Sequence, residues 1–277
     1  MSEGGNFESR ANGGIGAPYP GGNSAGKVFC IGINKTGTTS LEAALATLGY
    51  RMGSQQEGEQ LLPHWLKRDF APIVEFARTA EAFQDIPFSL PYTYLHLDAH
   101  FPEAKFILSI RDSAEQWYES VVHFTRSLFL SGLLPTAEEM KRFTYCYPGF
   151  FHDAQCKVVP GIGADPFDRD ANMAFYEAHN YQVASYFRYS GRLLVINLAA
   201  TGSYRAMCDF LGRAPAAGGF PHLNASRPVV TQVLFEELEA RLAELKRISA
   251  CIAGRPFGSG RERKAEDGSD RRTAARR

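Results

Sequence analysis

"CIGINKTGTTSLEAAL", Cys30 to Leu45, runs from an apolar segment through a glycine-rich turn into a helical pattern. Gly32 and Gly37 have the G-x-x-x-x-G spacing of a phosphate-binding loop set between a strand and a helix. In an ATP- or GTP-binding loop the next residue is a lysine that reaches the β- and γ-phosphates. Here Thr38 holds that place, and the lysine sits inside the loop as Lys35. Upstream, "KVFCIGI" (Lys27 to Ile33) is a short apolar run with β-branched residues, as a buried parallel strand requires. Downstream, Leu41, Ala44, Leu45 and Leu48 recur at three- and four-residue spacing, and Gly49 is placed to end the helix.

Further along, the same alternation repeats. Helical material over 56–78 is broken by Pro63 and Pro72, and "EAFQDIPF" holds a short strand ending near Asp85, since Pro87 cannot continue a ladder. "LPYTYLHLDAHFP" predicts a helix with Pro91 in its first turn. "KFILSI" (Lys105 to Ile110) is a second buried strand that runs into Arg111, and a helix bearing Trp117, Tyr118, Val121 and Val122 follows. Residues 170–189 read as a helix, "RLLVINL" (Arg192 to Leu198) as a third buried strand, and Ser203 to Leu211 as a helix closed by Gly212. Strands and helices in this order predict an α/β fold: a P-loop-type parallel β-sheet flanked by helices on both faces, in a single domain. Such sheets bind ligands beyond the carboxyl ends of their strands.

Residues 1–26 are rich in glycine and poor in aliphatic side chains and read as a disordered tail. The domain is expected over 27–253, with an irregular insertion or substrate-side lid at 135–168, where Pro, Gly and aromatic residues lack a period. A disordered basic tail is expected over 254–277. Leu234, Leu238, Leu242, Leu245 and Ile248 form a helical stripe that packs on the domain or pairs with a second copy in a homodimer.

Among 277 residues, 30 Lys and Arg balance 30 Asp and Glu, so no global positive field recruits nucleic acid and any anion site must be built locally. Five cysteines lack zinc spacing and read as reduced thiols, and no apolar run suits a signal peptide or a membrane span. Cytoplasmic placement is the expectation.

The loop itself points to chemistry. Gly37 permits a tight turn, and the N–H groups of Lys35 through Thr39 converge where a helix N-terminus attracts a phosphate, with the hydroxyls of Thr38, Thr39 and Ser40 beside them. A lysine in the turn lies beside a two-unit anhydride and need not reach a third phosphate. It is placed to neutralise charge on a leaving phosphate as a terminal group transfers. The strand "RLLVINL" ends near Asn197 where a magnesium site would want an aspartate, so transfer without a metal is expected.

With these residues in view, "INKTGTTSLEAAL" resembles the 5′-phosphosulfate loop of the sulfotransferases that use 3′-phosphoadenosine 5′-phosphosulfate (PAPS). "KFILSIRDSAEQWYESV" resembles that family's 3′-phosphate segment, in which a strand ends in arginine and a serine follows from the next helix. The segments "FQDIP" (Phe83 to Pro87), "CDFLG" (Cys208 to Gly212) and "FPHLN" (Phe220 to Asn224) extend the likeness toward the small bacterial and fungal branch. The resemblance implies that Lys35, Thr36, Gly37, Thr38, Thr39 and Ser40 bind the 5′-phosphosulfate and that Arg111 grips the 3′-phosphate. The partner serine usually comes eight residues after the arginine, where this chain has Glu119; Ser120 follows it and is assigned the role.

Sulfuryl transfer needs a base for the acceptor's proton. Asp85, at the end of the short strand, is the candidate, against the alternative that it caps a following helix. His64, His96, His100, His123, His152, His179 and His222 are scattered, with His123 nearest in sequence to the Arg111 helix and His222 in "FPHLN". Phe143, Tyr145, Tyr147, Phe150 and Phe151 crowd the insertion as a wall for a small-molecule, lipid or glycan acceptor, or as core. The competing functions are a P-loop kinase or NTPase, and a non-catalytic nucleotide-binding protein that keeps the fold.

Overall fold

The structure, a computed structural model, describes residues 26–129 and 133–221. The glycine-rich tail before them, His222 to Asn224 of "FPHLN", the leucine stripe, Cys251 and the basic tail lie outside the described residues.

The chain enters through β1 (Val28–Cys30) and turns into α1 (Thr38–Thr47). Three short helices follow: α2 (Gln55–Glu59), α3 (Leu62–Leu66) and α4 (Ala71–Phe76), before β2 (Ala82–Phe83). Pro63 and Pro72 divide this region by starting α3 and α4, where a missing N–H costs nothing. Next come α5 (Thr93–His100), β3 (Lys105–Ser109) and α6 (Ala114–Leu128). The chain continues through α7 (Ala137–Arg142), α8 (Phe150–His152), α9 (Arg169–Tyr186), β4 (Leu193–Ile196) and α10 (Ser203–Leu211). Pro91 precedes α5 by two residues and does not enter its first turn; Tyr92, with a left-handed φ of 67°, starts that helix.

The described strands form one parallel sheet in the order β2-β1-β3-β4, with Phe29 beside Phe83 and Phe106, and Phe106 beside Leu193. The period of two sends alternate side chains to opposite faces. Phe29, Ile31, Phe106 and Leu108 join one core with α3, α4, α5, α6 and α9; Val28, Cys30 and Ile107 join a second with α1 and α10. In the first core Phe29 is fully buried, ringed by Phe83, Phe88, Phe101 and Phe106 at centroid separations of 5.5–5.9 Å. β4, expected to be buried, is one of the two outer strands, and Leu193 to Val195 are half-buried among the described residues. No helix among the described residues is long and apolar enough to cross a membrane.

The insertion, expected to be irregular, contains α7, α8 and a π-helical turn (Asp153–Lys157). Thr136 and Glu139 close a reciprocal capping box at the start of α7, with the Glu139 carboxylate accepting the Thr136 N–H at 2.7 Å. The aromatic residues of the insertion stack on one another and on the end of α6: Phe129 on Phe143 at 4.5 Å, Phe143 on Phe151 at 5.7 Å, and Tyr145 on Phe151 at 5.2 Å.

Because all four strands run the same way, their carboxyl ends open along one edge, and there the loop after β1 approaches β3 without a gap. A Cβ on Gly32 would collide with Ser109 Oγ and its backbone oxygen, so only glycine fits. Gly32→Ala is expected to lose about 3 kcal/mol of stability by denaturant titration, the upper end of the range for overpacking a dense interior.

Candidate active site

The loop between β1 and α1 is built by turning its carbonyls away from the cleft. The Ile31 carbonyl accepts from His179 Nε2 at 2.8 Å, and Ile33 accepts the Thr36 hydroxyl at 2.7 Å. Asn34 accepts from Trp117 Nε1 at 2.9 Å, and Lys35 accepts from Arg111 Nε at 2.7 Å. With the carbonyls held on that side, the N–H groups at the start of α1 face the opposite way, where a helix N-terminus attracts anions. Two left-handed residues make the turn: Gly37, with φ 97°, and Lys35, with φ 73°. The first is free of strain; the second carries the penalty of a side chain in that region.

Thr36 does not offer its hydroxyl to a ligand. Its side chain is buried, bonded to the Ile33 carbonyl and sharing a 2.6 Å hydrogen bond with Ser109 Oγ, so it clasps the loop to β3 and gives the cleft only backbone. The other loop residues, Lys35, Gly37, Thr38, Thr39 and Ser40, line a cleft of about 1150 Å³. Arg111 and Ser120 line the same cleft, while Glu119 is exposed to solvent.

Arg111 leaves the end of β3 with its backbone N–H bonded to the Tyr176 hydroxyl at 2.8 Å, and Tyr176 stacks on Trp117 at 4.8 Å. The carboxylates that could have paired with it are engaged elsewhere: Glu115 with Arg169, and Asp112 with Gln116 and Asn197. The terminal amino groups of its guanidinium therefore carry positive charge toward the cleft, and partial burial lowers its pKa. On α6, Ser120, His123, Phe124 and Ser127 share one face at helical spacing and form the wall.

Lys35 sits where two environments meet. Its ammonium lies 3.1 Å from the centroid of the Phe124 ring and makes no ion pair among the described residues. Burial lowers its pKa, and the charge of Arg111 adds to that effect, while Asp85 and Glu59 oppose it. A desolvated cation without a counter-ion stabilises an incoming anion.

Asp85 is not among the residues lining the cleft and is 9 % exposed. It does not cap a helix: α5 begins eight residues later, and the carboxylate accepts only the Ile86 N–H, at 2.8 Å through Oδ1. Its second oxygen takes part in no hydrogen bond among the described residues. Burial pushes its pKa up to about 6, with Glu59 and Glu42 adding to the rise and Ile86 and Lys35 opposing it. Such a carboxyl group titrates near working pH, as a general base should.

His123 reaches the cleft wall but is exposed. His179 is buried and bonded to the loop, and burial lowers its pKa to about 4, so it is a neutral clasp. Sequence reasoning missed Phe124, Trp117, Tyr176 and the 198–204 segment after β4, which closes the far side of the cleft. Only the α6 face left a signal, in the spacing of Ser120, His123, Phe124 and Ser127.

No curated protein matches the chain at a significant level. A family model described as a sulfotransferase domain matches residues 27–229, which takes in the sheet, the loop, Arg111 and the cleft wall. The chain belongs to the sulfotransferase family.

Proposed function

We propose that the protein transfers the sulfuryl group of PAPS to a hydroxyl of a small-molecule, lipid or glycan acceptor by in-line displacement without a metal. The observation that carries this reading is the meeting of Lys35 to Ser40 with Arg111 and Ser120 in one cleft. The loop's N–H groups, with the hydroxyls of Thr38, Thr39 and Ser40, would hold the 5′-phosphosulfate, and Arg111 and Ser120 the 3′-phosphate. As the acceptor oxygen bonds to sulfur, the bond from sulfur to the bridging oxygen breaks and adenosine 3′,5′-bisphosphate leaves. Lys35 would stabilise the charge gathering on that oxygen, and Asp85 would take the acceptor's proton. Asn197, at the end of β4, donates its amide to the Asp112 carboxylate. The thiols of Cys30, Cys146, Cys156 and Cys208 are free, which suits the reducing cytoplasm.

Titration calorimetry separates this reading from a kinase or NTPase. Adenosine 3′,5′-bisphosphate is expected to bind without metal and more tightly than ATP with magnesium. Arg111→Ala should weaken it about a hundredfold, the loss of two charge-assisted hydrogen bonds. Preference for ATP and magnesium overturns the proposal, and tight binding without turnover across an acceptor panel favours a non-catalytic protein.

A further inference from the structure

Glu59 is the one carboxylate on α2 that points inward, 5 % exposed. Burying a carboxylate is costly unless its oxygens are satisfied. Both are: Oε1 accepts the Gln55 amide at 2.9 Å, and Oε2 accepts the Cys146 thiol at 3.0 Å. The chain of bonds continues from Gln55, whose Oε1 accepts from Gln84 Nε2 at 3.0 Å, to Glu42 on α1, which accepts from the same nitrogen at 3.2 Å. Gln84 directly precedes Asp85. A line of polar contacts thus runs from the helix behind the phosphate loop, past the carboxyl end of β2, to the turn of the insertion that carries Tyr145 and Cys146.

Resting on the reading of Asp85 as the base, we propose that Glu59 is a positioning residue for the transfer: it ties the 143–149 turn over Asp85 through the Cys146 thiol and places a second negative charge beside that base. Four features support this. Both Glu59 oxygens are occupied, whereas Asp85 keeps one free for an acceptor's hydroxyl. Tyr145, beside Cys146 in that turn, packs its half-exposed ring on Phe150 and Phe151 at 5.4 and 5.2 Å. The charges of Asp85 and Glu59 both act on Lys35, raising its pKa against the lowering by burial. The turn is itself ordered, with the Gly149 N–H bonded to the Phe143 carbonyl at 3.0 Å, so holding Cys146 holds the whole segment.

The groups that set the titration of Asp85 are then Glu59 from α2, Lys35 from the loop, Glu42 from α1 and the Ile86 N–H from its own turn, and its charge in turn acts on Tyr145 of the insertion. Removing the Glu59 charge while keeping its shape lets Asp85 ionise more easily. Full-length protein labelled with ¹³C at the aspartate carboxyl groups reports this directly by NMR, with Asp85 assigned by its loss in Asp85→Asn. Glu59→Gln is expected to lower the Asp85 midpoint by about half a unit or more. Glu59→Ala, which also removes the thiol's acceptor, is expected to speed amide exchange over 143–149 by about tenfold. Cys146→Ala approaches the same contact from the other side and should speed exchange there too, with Asp85 unmoved. An unchanged midpoint in folded Glu59→Gln overturns the proposal, as does unchanged exchange in Glu59→Ala or in Cys146→Ala. Bisphosphate binding by the wild-type protein tests the donor reading separately, and its failure leaves these measurements meaningful.

Discussion

Lys35→Ala is expected to lower kcat about a thousandfold while changing the affinity for adenosine 3′,5′-bisphosphate less than about tenfold. Such a rate loss equals about 4 kcal/mol of transition-state stabilisation, within the range for removing one preorganised charge from a desolvated site. The asymmetry follows from position. In the proposed reading the loop N–H groups and, at the other end, Arg111 hold the bisphosphate, and all of them survive the substitution. Under the same proposal, charge on the bridging oxygen would develop only during transfer, and Lys35, the one cation in the loop, would meet it. Lys35→Arg should fail to rescue, because a planar guanidinium cannot occupy the same compact position beside Phe124. Lys35→Gly adds a control the other variants lack: φ at this residue is 73°, so glycine relieves the strain and should raise stability by about 1 kcal/mol. A variant that is dead but more stable identifies a residue held in its conformation for chemistry. Parallel losses of kcat and bisphosphate affinity in Lys35→Ala would instead make Lys35 an ordinary binding group.

How much of this was legible in the sequence depends on the distance over which the information is stored. α1, β3, β4 and α10 with its Gly212 cap follow from local periodicity and end signals and lie within two residues of the expected bounds, whereas β1 ends three residues before the apolar run does. The glycine-rich turn between β1 and α1 was legible for the same reason, since two glycines and a lysine lie within six positions. What pins the loop was not. Trp117, Tyr176 and His179 reach Asn34, Arg111 and Ile31 across 83, 65 and 148 positions. No pattern in the chain announces such pairings. Thr36 shows the converse, a residue of the right type in the right motif whose hydroxyl turns inward to Ser109. In the insertion, the Thr136–Glu139 signal was present but opens a helix of only six residues, too short for a hydrophobic period to emerge. Glu59 lies in "QQEGEQ", a polar string in which burial of one member leaves no trace.

Asp85→Asn is expected to reduce kcat at least about a hundredfold, the usual contribution of a general base, and at the same time to stabilise the fold at neutral pH. The sign follows from the direction of the shift. An aspartate ordinarily titrates at 3.8, and burial raises this one to about 6. Below the lower value both states hold the proton and the group is neutral in either. As pH rises to about 6 the unfolded chain ionises first, so stability falls, and above that the native state carries the whole penalty. Two units correspond to about 3 kcal/mol, and relaxation of the site brings the expectation to on the order of 2 kcal/mol. Asparagine never ionises, keeps an oxygen for the Ile86 N–H, and tolerates the left-handed φ of 62° as well as aspartate does. His179 works in the opposite sense over the same window: lowered from 6.5 to about 4, it costs stability as the medium is acidified. The two groups nearly cancel in the wild-type protein, which should therefore show a shallow dependence between pH 4 and 6. Asp85→Asn removes one of them and should reveal the acid-side slope of His179 alone. Urea titrations at pH 4, 5, 6 and 7 read both effects. An Asp85→Asn protein less stable than wild type at pH 7, or one retaining most of its rate, would show that burial there serves packing and that the proton leaves by another route.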